Sequence, residues 1–275
     1  MPAKAPRRKC RVAILSIAAM YDVADACMSA VHGTDRINAL PFSARTLHLT
    51  GMTNIPALSD LLDECRETTP EWTPVYDAFV AKLRSGAVAE NAPKPGDIFL
   101  DFAIPDASGR YRSLAELVAG GPIVLSFNRG GWCPFCRGEL SAWGERAEAL
   151  AAAGGRFVTI TGEAGGRAER LHDLIGPNAT VLCDIDHGLA LSVGLAFQCD
   201  ADLQQRYRAC GLDLADIYGG PGWILPVPAT FVIDRDQTVR FAFADPDFRV
   251  RAEPDEVIDV VNIITDLRRR AITKG

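Results

Sequence analysis

Apolar residues along this chain follow two rhythms. Short continuous runs, bounded by glycine or turn residues, lie at 122–127, 156–161, 180–183 and 229–234. Runs of this length without polar alternation predict strands buried on both faces. The run at 122–127 is the clearest, with Gly120-Gly121 before it and Gly130-Gly131 after it. Between the runs the pattern turns helical. Residues 137–153 are rich in Glu, Ala, Leu and Arg and end at Gly154-Gly155, a helix with a glycine stop. Shorter helices are predicted over 168–175 and 189–193. Residues 239–243 fold back on the fourth strand as a hairpin across Arg235-Asp236-Gln237. A terminal helix carries Val257, Val260, Val261, Ile264 and Leu267 on one side. Upstream, 98–102 predicts an entry strand, and 106–109 a turn. Ser113 caps a short helix through Leu114, Leu117 and Val118, with Glu116 completing a capping box. Strands alternating with helices, then a hairpin and a last helix, predict an α/β domain: a central mixed sheet with helices on both faces.

The N-terminal third is organised differently. Leu58, Leu61 and Leu62, then Tyr76, Phe79, Val80 and Leu83, recur at helical spacing, and Pro70 and Pro74 divide the segment in two. This helical segment, 52–92, is expected to pack on the main domain or to make a homodimer contact. Residues 91–96 read as a linker by composition, and the domain proper is placed at 93–275. Residues 1–51 form an extension with a basic start (Lys4, Arg7, Arg8, Lys9, Arg11) and a short apolar stretch at 12–20. With Ala24-Asp25-Ala26 this resembles a secretory signal peptide, although Asp22 and Asp25 crowd the cleavage region. The preferred reading is a start assigned too far upstream, with Met52 as the true beginning, or a disordered extension; a structured extension is the third. The expected location is cytoplasmic, or secreted or periplasmic if the signal is real.

Bulk properties narrow the function. The chain has 275 residues, is 48% hydrophobic and carries a net charge of −6. That balance suits a globular core and argues against nucleic acid as the main partner. No apolar run approaches the roughly 18 residues that span a membrane. The chain has 8 cysteines, too sparse for a disulfide scaffold at this length. They fit a reducing compartment with one working pair.

That pair is Cys133-Pro134-Phe135-Cys136, preceded by Phe127-Asn128-Arg129-Gly130-Gly131-Trp132. It lies after a strand and before a helix, and two cysteines at this spacing close a small disulfide ring. Such a motif beside a βαβ pattern reads as a redox centre. Cys133 falls at the helix start, where unpaired N–H groups and the dipole favour a thiolate, and Pro134 takes the tolerated first-turn position. Arg129 and Arg137 are nearby cations. A structural zinc site needs a second ligand pair. Cys10, Cys27, Cys65, Cys183, Cys199 and Cys210, and His32, His48, His172 and His187, are scattered, so no metal and no organic cofactor are expected. Trp132 is read as a shield over the pair. Cys183 and Cys199 are alternative resolving thiols, with buried structural cysteines the commoner case. The glycine-rich stretch 162–166 lacks the order of a nucleotide site and reads as a loop. Arg268 to Arg270 are read as offsetting the last helix's dipole.

Three stretches taken together, 95–102, 127–136 and 225–234, resemble the peroxiredoxin-like (alkyl hydroperoxide reductase / thiol-specific antioxidant) family of the thioredoxin superfamily. The resemblance runs from about Pro95 to Leu267. It implies a thioredoxin-like fold and a cysteine that attacks peroxide. The family loop reads Phe-Tyr-Pro, three residues, then Thr-x-x-Cys. Laid on this chain, its Pro falls on Arg129, its Thr on Cys133 and its peroxidatic Cys on Cys136. The family's active-site Arg falls on Pro228, which instead looks like the cis-proline that faces the pair in thioredoxins. Arg249 or Arg251 are substitutes for the missing Arg, with solvated surface cations the preferred reading of both.

The resemblance implies a thiol peroxidase that reduces hydrogen peroxide or organic hydroperoxides through Cys136 and Cys133, with Arg129 as a donor and Trp132, Pro134 and Pro228 shaping the site. Thioredoxin, glutaredoxin or a small thiol would recycle it. The family pattern puts Cys136 in the lead for peroxide; the thioredoxin analogy puts Cys133 in the lead for exchange with a protein. Two other functions compete. One is a disulfide oxidoreductase, favoured by Cys-Pro-Phe-Cys and Pro228. The other is a redox-sensing module whose disulfide state controls docking through 52–90.

Overall fold

The computed structural model describes residues 55–273; the expectations for 1–51 and for a start at Met52 lie outside them. The chain runs through α1 (Leu58–Thr68) and α2 (Thr73–Ser85), then a hairpin of β1 (Ala103–Pro105) and β2 (Tyr111–Ser113), then α3 (Leu114–Val118). Next come β3 (Ile123–Phe127), α4 (Pro134–Glu145), α5 (Ala147–Ala152) and β4 (Arg156–Thr161). After these lie α6 (His172–Ile175), β5 (Thr180–Cys183), α7 (Gly188–Ser192) and β6 (Ala196–Gln198). The last part holds α8 (Ala201–Ala209), α9 (Leu214–Tyr218), β7 (Ile224–Pro226), β8 (Ala229–Ile233), β9 (Val239–Ala244) and α10 (Pro254–Ile272).

The main sheet has the order β5-β4-β3-β8-β9. β3 pairs parallel with β4, and β4 with β5; β8 runs antiparallel to both β3 and β9. It is the mixed sheet that the alternating pattern predicts. Side chains leave a strand alternately to its two faces, and here both faces are covered. Ile123, Leu125 and Phe127 enter one core with Val158, Ile160, Phe231 and Phe99. Val124 enters the other with Phe157, Val232, Trp143 and Val261. All five residues of β3 and all five of β8 are therefore buried, which is why their sequences show no polar alternation.

Several boundaries differ from expectation. Residues 98–102 make no strand: Ile98 forms only an isolated bridge with Thr238, and Phe99 N–H donates to the Gln237 carbonyl. The helix expected over 137–153 is two helices broken at Arg146. Its guanidinium turns inward to Asp255 and the Pro56 carbonyl. Ser113 does cap α3, its hydroxyl accepting the Glu116 N–H. Glu116 does not return the bond; its carboxylate goes to Arg110 and Arg112 instead. In α10, Val257, Val261 and Ile264 are buried, while Leu267 is 61% exposed. The stretch from β6 to β7 had no predicted elements.

The N-terminal helices are docked on the main domain. Glu253 accepts the N–H groups of Leu58 (2.8 Å) and Ser59 (2.7 Å) at the open start of α1. Leu58, Leu62, Phe79 and Leu83 join the same core as Phe127 and Cys133. Pro70 and Pro74 separate α1 from α2 around the turn Pro70–Trp72, as expected.

Gly144 shows how tightly α4 is seated. A Cβ there would overlap the Leu174 carbonyl of the neighbouring α6. Backbone cannot yield as a side-chain tip does, so Gly144→Ala is expected to cost about 1–3 kcal/mol. Urea unfolding should show a lower midpoint with an unchanged slope.

Candidate active site

The loop after β3 is built to present the start of α4. Asn128 N–H still donates to the Ile160 carbonyl of β4 (2.9 Å), so the sheet extends one residue into the loop. The Asn128 side-chain oxygen then accepts Gly130 N–H (2.7 Å) and bends the chain. Gly130 sits at φ +109°, and a Cβ there would lie 2.5 Å from the Glu163 side chain. Glycine is required on both counts. Gly131 N–H donates to Glu163 (3.1 Å). The turn closes with Cys133 as N-cap of α4 and Pro134 as its first residue. Cys133 and Cys136 thus occupy the cap and first turn of one helix.

Two N–H donors converge on the Cys136 sulfur. The Arg129 backbone N–H lies 3.3 Å away and the Arg251 Nη2 3.5 Å away. Arg251 is held rigidly: its Nε donates to Glu139 at 2.7 Å, and its Nη1 donates to the carbonyls of Phe248 and Val250. Glu139 also accepts the hydroxyls of Ser126 (3.0 Å) and Thr230 (3.4 Å), which come from the adjacent strands β3 and β8. The surface reading of Arg249 and Arg251 is overturned. Both are 7% exposed. Arg249 is consumed by Asp77 and Asp247, each at 2.7 Å, and Arg251 alone reaches a sulfur.

Arg129 is a buried cation without a carboxylate partner among the described residues. It is 1% exposed. One Nη donates to the Tyr207 hydroxyl (2.8 Å), and Nε has no partner. The guanidinium lies against the ring faces of Trp132 (4.6 Å) and Phe248 (4.2 Å), a favourable cation–π setting. Its own carbonyl accepts the Tyr218 hydroxyl (2.6 Å), and Tyr218 receives the Trp132 indole N–H (3.0 Å). Trp132 is therefore locked against the Arg129 guanidinium by a hydrogen bond.

These charges set the state of the thiols. Burial opposes a charge on Cys133, yet the hydrogen bond from the Cys136 thiol, with Arg129 and Arg251, outweighs it and brings Cys133 down to about 6. Cys136 is pushed up, by burial first and then by the thiolate next to it, against the pull of Arg251. The two sulfurs share one proton, and the titration belongs to the pair.

The structure brings Cys133, Cys136, Arg129, Trp132 and Pro134 into one cluster. Cys133 is not at an exposed position as a thioredoxin-style attacking thiol would be: it is 1% exposed and Cys136 is 0%. Pro228 lies between β7 and β8, next to the register pair Phe127↔Ala229, hence beside the loop. No peptide among the described residues is cis, so Pro228 is not the cis-proline it resembles. Without an N–H it can donate to neither ladder, and the chain passes from one sheet to the other there. Cys199 is buried and its thiol is pushed up to about 12 by desolvation, an inert cysteine. Burial also raises Cys183, which is half-buried. Among the described residues no group of three or more His, Cys, Asp or Glu is placed to hold a metal.

Sequence reading passed over Glu139, Tyr207, Tyr218 and Phe248. Glu139 had a signal: it is a carboxylate on the helix face that otherwise buries Phe135, Cys136, Leu140 and Trp143. A charged residue on a buried stripe has a partner nearby.

Ultraviolet titration of the thiolate in the reduced protein should show a first midpoint near pH 6, with absorbance lost below it as the pair takes up its second proton. Arg129→Met removes a cation that leaves no carboxylate orphaned. Its loss disfavours the thiolate, so the midpoint should rise by about one unit or more.

The model of the AhpC/TSA family matches residues 95–242, more than half of the chain. No curated protein matches. Among solved structures, peroxidoxin BcpB from Mycobacterium tuberculosis is 22% identical, with 62% of this chain and 98% of that chain covered and a TM-score of 0.49. Mycobacterium tuberculosis AhpC is 16% identical, with 63% and 93% covered and a TM-score of 0.47. The reduced 2-Cys peroxiredoxin of Plasmodium vivax is 13% identical, with 64% and 83% covered and a TM-score of 0.46. With the family's model matched across the sheet and the cysteine loop, the chain belongs to the AhpC/TSA family.

Proposed function

We propose that this chain is a thiol peroxidase in which Cys136 reacts with the hydroperoxide and Cys133 resolves the product. The observation that carries this reading is the convergence of the Arg129 N–H and the Arg251 guanidinium on the Cys136 sulfur. Family membership supports peroxide chemistry; the geometry supports this assignment of roles. Donors fixed before reaction stabilise charge as it develops, without reorganisation in the transition state.

The steps balance within the pair. The shared proton moves to Cys133, leaving Cys136 as thiolate. Its sulfur attacks the terminal peroxide oxygen. The S–O bond forms, the O–O bond breaks, and the departing alkoxide or hydroxide takes the Cys133 proton. Arg251 and the Arg129 N–H, both on the Cys136 sulfur, hold the thiolate that attacks. Cys133, now a thiolate, attacks the Cys136 sulfenic acid. The S–S bond forms, and hydroxide leaves and is protonated by solvent. A thiol reductant then reopens the disulfide by exchange, whether thioredoxin, glutaredoxin or a small thiol.

The lowered Cys133 thiol at the helix cap favours a second reading, a disulfide oxidoreductase led by Cys133. Stopped-flow reaction of the reduced protein with peroxide separates the two. Parent and Cys133→Ser should each consume one equivalent rapidly, and Cys136→Ser should be slower by roughly a hundredfold or more. A fast Cys136→Ser, or slow reaction in all three, would reject the peroxidase assignment.

A further inference from the structure

Both sulfurs are buried, and a closed set of rings lies beside them, near enough for the Cys133 charge to act on Tyr76 and Tyr207. Trp132 meets Tyr207 edge-on at 5.8 Å, and Tyr207 stacks on Trp72 at 5.6 Å. Trp72 stacks on Tyr76 at 5.3 Å, and Tyr76 meets Phe248 edge-on at 4.9 Å. The Arg129 guanidinium, against both Trp132 and Phe248, closes the circuit. Trp72 and Tyr76 pack against the core that contains Cys133. They belong to the helical segment upstream of the family-matched region. That segment is pinned where it crosses the site. Asp77 pairs with Arg249 at 2.7 Å, Lys82 pairs with Asp200 at 2.8 Å, and Phe79 meets Phe197 edge-on.

We infer that Trp72 and Tyr76 determine the class of reductant: the site admits small thiols and excludes the thiol of a folded protein. This rests on the Cys133–Cys136 disulfide of the cycle above. Thiol exchange requires the attacking sulfur to approach along the S–S axis. A cysteine side chain is one carbon long, so a protein thiol brings its own backbone to the disulfide. The ring wall leaves no room for that backbone without displacing the pinned segment. A small thiol brings only a few atoms. Its thiolate attacks Cys133, the S–S bond breaks, and the electron pair goes to Cys136, where Arg251 and the Arg129 N–H receive it. A second thiol attacks the small-molecule sulfur of the mixed disulfide and releases Cys133. Two thiols become one disulfide, the pair gains two electrons, and of the two protons released one stays on the pair and one enters solvent.

The test uses the full chain oxidised with diamide, so that it does not depend on peroxide reactivity. Reduction is followed by mass shift after alkylation, with dithiothreitol and with reduced thioredoxin at equal concentrations. Dithiothreitol should reopen the disulfide, and thioredoxin should be no faster. In Trp72→Ala the thioredoxin-to-dithiothreitol rate ratio should rise at least tenfold. If circular dichroism shows that variant unfolded, Trp72→Leu is read in the same way. Faster reduction of the parent by thioredoxin, failure of dithiothreitol, or an unchanged ratio in the folded variant would each overturn the inference. Failure of the peroxidase assignment would show only in the separate peroxide reaction.

Discussion

The site depends on an imbalance of buried charge. Arg129 and Arg251 face the two sulfurs, and Glu139 is the one carboxylate ion-paired with either of them among the described residues. One positive charge is left over in a region closed to solvent. A buried charge without a partner is expensive, and the surroundings respond by shifting a titration. The group available to respond is the cysteine pair. A thiolate shared between Cys133 and Cys136 neutralises the excess, so the pair is ionised near neutral pH despite complete burial. Glu163, on the far side of the loop, does not cancel this: burial raises its carboxyl toward the neutral form, and it serves Gly131.

The fold delivers these groups from distant parts of the chain. β3 and α4 bring Arg129, Cys133, Cys136 and Glu139 in one strand–turn–helix unit. β8 adds Thr230, which helps hold Glu139. The connection from β9 to α10 carries Phe248 and Arg251 back over the helix start. α8 and α9 supply Tyr207 and Tyr218. The upstream helices then close the top, with Glu253 and Arg249 tying them to the connection that positions Arg251. Arg251 therefore reaches the Cys136 sulfur from a loop, while the position where the family pattern has an arginine holds Pro228.

The parts of the fold readable in the sequence were those where burial is complete. β3, β4 and β8 have both faces covered, so their apolar runs are continuous. β6 and β7 are three residues each, too short for any periodicity. α8 reads Ala-Asp-Leu-Gln-Gln-Arg-Tyr-Arg-Ala and buries only Leu203 and Tyr207, so its amphipathic signal is faint. In the site, spacing located the cysteines and chain order located Arg129. Arg251 was indistinguishable by sequence from a solvated arginine, because its role is set by a long-range ion pair with Glu139. Pro228 misled because proline before a strand carries the same letter whether its peptide is cis or trans.

Replacing the family's threonine by Cys133 puts a second thiol where a hydroxyl would stand. In the proposed cycle that change supplies the shared proton and the resolving sulfur, and the attack on peroxide is assigned to Cys136. The most direct measurement is trapping of the sulfenic acid. Cys133→Ser is treated with one equivalent of peroxide in the presence of dimedone, and the adduct is located by peptide mass spectrometry. The account predicts near-stoichiometric labelling of Cys136 and none in Cys136→Ser. Labelling on another cysteine, or no labelling while peroxide is consumed, would contradict it.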